Sequence, residues 1–186
     1  MIYVFGLGNP STKYEHTRHN AGIDALSKAA AFFQVKLRKR CFRLYSYAKV
    51  QGAQLIFPLT YMNNSGKVIK YFDIKDPSKL VVVCDNMDLA CGGLRIRQGG
   101  GASGQKGLNS IAEHLGSNDF VRIYVGIGRP KEGVSVVDHV LGRETDEKYI
   151  QAYEKALEDA SKVIVGYING KSVEELQREF NRKGIL

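Results

Sequence analysis

Residues suited to acid–base chemistry are concentrated in the stretch GLGNPSTKYEHTRHNAG, residues 6–22, which follows a short apolar run. His19 lies in this stretch, and an imidazole can act as a general base near neutral pH. Its orienting partner could come from VVVCDNMD, where Asp85 and Asp88 end another apolar run. A carboxylate on the ring would fix its tautomer, as in a catalytic triad without its serine, and water would then be the nucleophile. A histidine bonded locally at a helix start explains this loop equally well.

The opening Gly-x-Gly of this stretch raises a second interpretation, a dinucleotide-binding loop. That fingerprint needs a third Gly or Ala and an acidic residue at the end of a second strand about 20 residues on. Here the third position is Ser11, and the acid at that spacing is Asp24, inside a helical pattern. The loop therefore does not predict a dinucleotide site, and Gly6 and Gly8 are expected to allow a sharp turn that leaves room for a ligand.

A metal or cofactor is not expected. Asp85 and Asp88 are only two carboxylates, and no His-x-x-His or Glu-x-x-His spacing accompanies them. The three cysteines are odd in number and lack Cys-x-x-Cys spacing, which argues against a disulfide framework or a zinc site. Cysteines without disulfides are typical of proteins in a reducing compartment. No apolar run reaches the length of a membrane span, so we expect a cytoplasmic protein without a membrane partner.

Two further segments carry side chains that could bind a ligand. In PLTYMNNSGK, residues 58–67, Asn63 offers an amide that both donates and accepts, and Tyr61 and Met62 could pack on a nucleobase or ribose. A strand-to-helix connection with an Asn or Ser N-cap accounts for the same residues. In LRIRQGGGASGQKGLNS, residues 94–110, Arg95 and Arg97 alternate along a strand and could clamp a phosphate from one face. A flexible hairpin with solvated arginines is the alternative.

Composition points to a globular protein with an anionic partner. The chain of 186 residues is 44% hydrophobic and 25% charged, which suits one domain over residues 1–186. Its formal net charge of +8 makes nucleic acid the first candidate partner, because a basic surface gains affinity by releasing counterions from phosphates. A basic but otherwise ordinary enzyme remains the alternative.

Periodicity predicts an α/β fold. Strand patterns cover residues 2–5, 44–50, 55–59, 80–84 and 121–127, and helical patterns cover 21–33, 65–72, 104–115, 145–168 and 172–182. A hairpin is expected at residues 51–53, and Ser172 with Glu175 forms a capping-box pattern. We therefore predict a twisted mixed β-sheet flanked by helices on both faces, with ligands at the carboxyl ends of its strands.

The order and the amino-acid sequences of these segments resemble those of the bacterial-type peptidyl-tRNA hydrolase family along nearly the whole chain. The matching motifs are GLGNP with Tyr14 and TRHNAG, then TYMNNSG, DNMDL with LRIRQGGG, and VGIGRP. The resemblance implies hydrolysis of the ester that joins a peptide to the terminal ribose of tRNA, which recycles tRNA for translation. It implies a metal-independent enzyme, and a monomer is the default.

The resemblance also implies roles for individual residues. His19 would be the general base for water and Asp85 its partner, while Asn9 would contact the peptide near the scissile carbonyl. Asn63 would bind the same end of the substrate and help position the water or the oxyanion. The remaining substrate or tRNA contacts would be Asn20 and Met62, Tyr14 and Tyr61 at the terminal adenosine, and Arg95 and Arg97 at the tRNA 5′-phosphate.

The chain departs from the family pattern in its glycine-rich loop. The family usually carries His-Asn where this chain has Gln105 and Lys106, and Tyr124 replaces a family Arg. Lys106 could face the cleft and grip a phosphate or polarise the ester carbonyl, or it could face solvent; we favour the cleft. Such substitutions also fit a non-catalytic RNA-binding protein derived from this fold. The retained His19 and Asp85 favour an active hydrolase.

Overall fold

The computed structural model describes residues 1–102 and 104–185. Within these residues the strands form one mixed sheet of order β2-β3-β4-β1-β5-β7-β6. The central strands β4, β1, β5 and β7 pair in parallel, and the β2–β3, β3–β4 and β6–β7 pairs are antiparallel. The strands are β1 (Ile2–Gly6), β2 (Arg38–Lys39), β3 (Tyr45–Val50), β4 (Ala53–Pro58), β5 (Leu80–Asn86), β6 (Leu94–Gln98) and β7 (Val121–Gly126).

Helices cover both faces of this sheet, which confirms the predicted fold class. The α-helices are α1 (Ala21–Phe32), α2 (Lys106–Leu115), α3 (Val136–Leu141), α4 (Glu147–Ile168) and α5 (Val173–Phe180). Short 3-10 helices span Thr12–Tyr14, Arg18–Asn20, Met62–Tyr71 and Pro77–Lys79. One hydrophobic core lies between the sheet and α1, α4 and α5, and the other lies between the sheet, α2 and the 3-10 helix Met62–Tyr71. No helix among the described residues is long and apolar enough to cross a membrane.

Local sequence explains how these helices begin and pack. The apolar side of α1 is mostly alanine, so the helix backbone approaches the sheet and α4 closely. The Ser172–Glu175 capping box is confirmed, because each residue's side chain accepts a hydrogen bond from the other's backbone N–H. The hairpin between β3 and β4 is also confirmed, and Gly52 adopts a φ of 76° in its turn.

Parallel pairing of β1 and β5 brings the two chemically interesting loops together. Gly6 at the end of β1 pairs with Val83 of β5, so the loop after β1 starts beside Asp85. The helical segment that follows this loop packs on the same strand ends, because the backbone N–H of Ile23 donates to the carbonyl of Leu7. Both loops therefore lie at the carboxyl ends of the parallel strands.

Three local expectations were wrong. Gly6 and Gly8 do not have positive φ; a Cβ on Gly6 would lie 2.6 Å from the Gly22 carbonyl oxygen, so these glycines make room for α1 and its preceding turn instead of a ligand. The predicted helix at 65–72 is a ten-residue 3-10 helix starting at Met62, and its Gly66 packs against the backbone of α2. Helix α3 was not predicted, because its six residues are fewer than the window of about 11–18 residues over which a helical period is recognised.

Candidate active site

The centre of the site is a histidine–aspartate pair. His19 lies in the 3-10 helix Arg18–Asn20 that leads into α1, and Asp85 lies near the end of β5. The His19 Nδ1 is 3.0 Å from both carboxylate oxygens of Asp85. Because a carboxylate only accepts hydrogen bonds, the proton of a neutral imidazole resides on Nδ1, and Nε2 is left with a free lone pair. The prediction that these two residues meet is confirmed.

A third side chain, Gln105, completes the surroundings of the Asp85 carboxylate. Its Nε2 donates to Asp85 Oδ1 at 3.0 Å, and both side chains are buried. At its other end, Gln105 Oε1 accepts the backbone N–H groups of Gly107 and Leu108, at 2.6 and 3.0 Å. Gln105 is thus the N-cap of α2, and this cap fixes the direction in which its amide nitrogen points. We missed this role in the sequence, although the departure from the family His was visible there.

Asn9 is held in place by Asn20 and Met62. The Asn20 side chain accepts the Asn9 backbone N–H at 2.8 Å and donates to the Asn9 carbonyl at 3.1 Å. The Asn9 Oδ1 accepts the backbone N–H of Met62 at 2.8 Å. With Oδ1 occupied, the Nδ2 donors of Asn9 remain for a ligand. Asn20 is only 3% exposed, so it supports the Asn9 backbone and is not itself accessible to a ligand.

These residues line a cavity of about 480 Å³. Its polar wall contains Asn9, His19, Asn63, Asp85 and Gln105. A second part of the lining is apolar and comes from α3 through Val136, Val137, Val140 and Leu141. A water activated at one wall could therefore react with a ligand whose apolar part lies against the other.

The apolar wall is tied to the segment that carries His19 through the neighbouring residue Arg18. The Arg18 backbone N–H donates to the Gly142 carbonyl, and its guanidinium donates to the His139 carbonyl and to Glu144. Although burial acts to raise it, the pKa of Glu144 lies below its usual value because of the hydrogen bond from Arg18. This largely buried ion pair keeps α3 over the cavity.

Some of the other predicted residues line the cavity, and the rest lie outside it. Tyr61, Met62 and Lys106 line the cavity together with Asn9 and Asn63, and Lys106 is exposed at its rim. The rest do not line it: Asn20 is buried behind Asn9, Tyr14 lies in the 3-10 helix Thr12–Tyr14, and Arg95 and Arg97 are exposed on β6.

The glycine-rich loop is held by a buried arginine. Arg122 lies opposite Arg97 in the β6–β7 register, but its side chain is fully buried. Its guanidinium donates to the carbonyls of Gly99 and Asn118 and lies 4.4 Å from the Phe120 ring centroid. Burial lowers the pKa of this guanidinium. Arg122 therefore anchors the start of the loop and does not reach a ligand itself.

A second cavity of about 610 Å³ lies behind α3 and shares Met87, Asp88 and Arg129 with the first. It contains neither His19 nor Asp85, so the smaller cavity is the candidate active site. Within the described residues, no three His, Cys, Asp or Glu side chains lie close enough together to hold a metal ion.

Comparison with known proteins gives a match to the family described as peptidyl-tRNA hydrolase over residues 3–185. The chain belongs to this family of enzymes. The peptidyl-tRNA hydrolase of Bacillus subtilis (strain 168) is 39% identical over 190 residues, which cover 98% of this chain and 100% of the relative. That of Shouchella clausii (strain KSM-K16) is 40% identical over 188 residues, with 97% and 100% covered.

The fold agrees with solved structures of the same family. The crystal structure of peptidyl-tRNA hydrolase from Acinetobacter baumannii matches with a TM-score of 0.87 and 28% sequence identity. The match covers 99% of this chain and 96% of that chain. The predicted family and fold class are thus confirmed.

Proposed function

We propose that this protein hydrolyses the ester bond between the peptide and the tRNA of peptidyl-tRNA. Family membership supports this activity. The observation that carries the mechanism is the His19–Asp85 pair, which is placed in a cavity with amide donors on one wall and an apolar surface on the other. Ester hydrolysis needs an activated water and donors for an oxyanion, and the residues of this cavity can supply both.

In the proposed reaction, His19 Nε2 removes a proton from water as the water oxygen attacks the ester carbonyl carbon. Asp85, bonded to Nδ1–H, stabilises the imidazolium that forms. The tetrahedral intermediate then collapses, the carbon–oxygen bond to the ribose breaks, and the imidazolium returns its proton to the leaving ribose oxygen. The products are a peptide carboxylic acid, which ionises, and free tRNA.

Amide side chains would hold the reacting group. The free Nδ2 of Asn9 can bind a carbonyl of the peptide next to the ester, and the Asn63 amide can donate to the developing oxyanion. Both side chains line the cavity. Asn9 is the more rigid of the two, because Asn20 and Met62 fix its backbone and its side-chain oxygen.

The two ends of the substrate would extend from the cavity. The apolar wall of α3 can pack against peptide side chains, whereas Tyr61 and Met62 can pack against the terminal adenosine. Tyr14, Arg95 and Arg97 lie outside the cavity. Tyr14 would contact the terminal adenosine from outside the cavity, and the two arginines would contact the tRNA 5′-phosphate.

Turnover of peptidyl-tRNA by the purified protein and its variants tests this proposal. His19→Ala is expected to lower kcat by about 100-fold or more with tRNA binding retained. Asp85→Asn should also lose activity, since it cannot stabilise the imidazolium. Asp88→Asn is the matched control, because Asp88 borders the same cavity but pairs with Arg129.

Two results would contradict the assignment. Substantial turnover by the His19→Ala protein would exclude the general-base role. A greater loss in Asp88→Asn than in Asp85→Asn would show that the wrong carboxylate has been paired with the histidine. Wild-type protein that binds tRNA but turns nothing over would instead support a non-catalytic RNA-binding role.

A further inference from the structure

The positive charge of the chain is concentrated in one segment. Residues 25–72 contain nine lysines and arginines and no acidic residue, whereas the whole chain has 27 basic and 19 acidic residues. The rest of the chain is therefore close to neutral. A charge distribution this uneven creates a local positive potential that attracts polyanions.

The fold gathers five of these cations at one edge of the sheet. Arg38 on β2 pairs directly with Tyr47 on β3, so the two side chains share a sheet face. Lys49 follows two residues after Tyr47 and lies on the same face. The hairpin between β2 and β3 and the end of the 3-10 helix Met62–Tyr71 complete the surface. We call Arg38, Arg40, Arg43, Lys49 and Lys70, with Tyr47 and Tyr71, the basic–aromatic face.

Aromatic rings contact three of the five cations of this face. Arg40 lies 5.9 Å from the ring centroid of Tyr47, and Arg43 lies 5.1 Å from that of Tyr71. Lys70 lies 5.4 Å from the Tyr71 centroid. Such contacts orient the charged groups without neutralising them. A cleft of about 220 Å³ opens between the two tyrosines.

Within the described residues, no carboxylate pairs with these charges. Among residues 1–102 and 104–185, none of the five cations forms an ion pair, and Asp73, at the border of the cleft, pairs with Lys75. The tip of the neighbouring hairpin also presents Phe42, which is 94% exposed between Arg40 and Arg43. Exposed aromatic rings between arginines are the arrangement with which proteins stack bases while binding the phosphate backbone.

The face is continuous with the active site. The 3-10 helix begins at Met62 in the cavity and ends at Tyr71 in the basic–aromatic face. At ~2.0 Å per residue, these two residues lie about 18 Å apart. Lys67 is exposed between them, so cations continue along the helix toward the cavity. The hairpin is joined to the same strand end, because the Leu59 N–H donates to the Leu44 carbonyl.

We propose that the basic–aromatic face binds the phosphate backbone of the substrate's tRNA, as a contact area separate from Arg95 and Arg97. This inference rests on the proposed function in one respect, that the substrate carries a tRNA. A nucleic acid explains the face better than a membrane does, since the cations lie against tyrosine rings and extend toward the proposed catalytic cavity. Phe42 is the one fully exposed apolar side chain of the face among the described residues.

The test is the salt dependence of binding to deacylated tRNA. The variant carries Arg38→Gln, Arg40→Gln and Arg43→Gln. If each arginine contacts one phosphate, the slope of log Kd against log salt concentration should fall by about two to three. A second variant with lysine at the same three positions keeps the charge and should keep most of the slope.

A matched control removes three exposed cations elsewhere, through Lys79→Gln, Arg178→Gln and Lys183→Gln. It changes the net charge equally, so its slope should change by less than about one. Equal losses in the two glutamine variants, or no loss in the first, would overturn the proposal. So would loss of binding to vesicles of anionic phospholipid with tRNA binding unchanged, because that result assigns the face to a membrane.

Hydrolysis measurements separate this inference from the proposed function. A minimal ester, an N-blocked aminoacyl group on adenosine, carries no tRNA backbone and should be hydrolysed by the arginine-to-glutamine variant as by the wild type. A comparable loss on the minimal ester would show that the substitutions damage the fold or the cavity, which also overturns the proposal. If the wild type hydrolysed neither substrate, the proposed function would fail, while the tRNA affinities would still test the face.

Discussion

Gln105→Glu tests how the active-site carboxylate is held, because it separates the two roles of Gln105. A glutamate retains the side-chain oxygen that accepts the N–H groups of Gly107 and Leu108, so α2 keeps its cap. It loses the amide N–H that donates to Asp85 at 3.0 Å. When ionised, it also places a second carboxylate against the first, which displaces Asp85 from His19.

The size of the effect follows from the lost contact. A hydrogen bond to a charged group contributes about 1.5–3 kcal/mol. If the orientation of Asp85 matters fully in the transition state, the loss in kcat is about 10- to 100-fold, at about 1.4 kcal/mol per factor of ten. Once protonated, the introduced carboxyl group can donate to Asp85 as the glutamine amide does, so the loss should shrink at low pH.

The assay is the pH profile of kcat for peptidyl-tRNA hydrolysis by the wild type and by Gln105→Glu, with thermal unfolding of both proteins. The ratio of variant to wild-type kcat is expected to fall as the pH rises. Gln105→His, which introduces the usual family residue and another N–H donor, should retain more activity at high pH. A kcat ratio that does not change with pH, or wild-type activity throughout, would refute the positioning role of Gln105.

Two further predictions concern Asp24 and Lys106. Burial raises the pKa of Asp24 to about 6, an effect that His16 partly offsets, so the folded state binds this proton more tightly than the unfolded state does. Stability is therefore lost as the pH rises from about 4 to about 6, and Asp24→Asn should add about 1–3 kcal/mol to the free energy of unfolding near neutral pH and little near pH 4. Urea denaturation at both pH values measures this, and an equal gain at both would contradict it. Lys106→Asn should preserve or raise kcat, whereas Lys106→Ala should raise KM. Wild-type kcat and KM in both variants would show that Lys106 takes no part in catalysis or substrate binding.

The His19–Asp85 pair was predictable because its signals are local. His19 lies in a motif of unusual residue types directly after a strand pattern, and Asp85 ends another strand pattern. Parallel strands in an α/β sheet bring their carboxyl ends together, so the two positions could be joined before any distance was known. The predicted fold class followed from the same patterns of strands and helices.

Other features depended on packing that no local pattern reports. The sequence offered Asn20 as a ligand-binding amide, but the turn into α1 points it at the backbone of Asn9. Arg122 alternates along its strand with apolar residues, yet it is fully buried and its guanidinium donates to the carbonyls of Gly99 and Asn118. Helix α3 gains its place over the cavity from hydrogen bonds with Arg18, which is more than 100 residues distant in the chain.

The sequence by itself determined the family, the α/β class and the two residues at the centre of the proposed chemistry, since each is expressed in residue types at short spacing. Tertiary structure alone decided which side chains surround Asp85 and which cations share a surface. Gln105 meets Asp85 across 20 residues, and Arg43 meets Tyr71 through the packing of a hairpin on a helix. The physical reason is that such contacts depend on strand register and helix placement, which the whole core sets together and no single segment specifies.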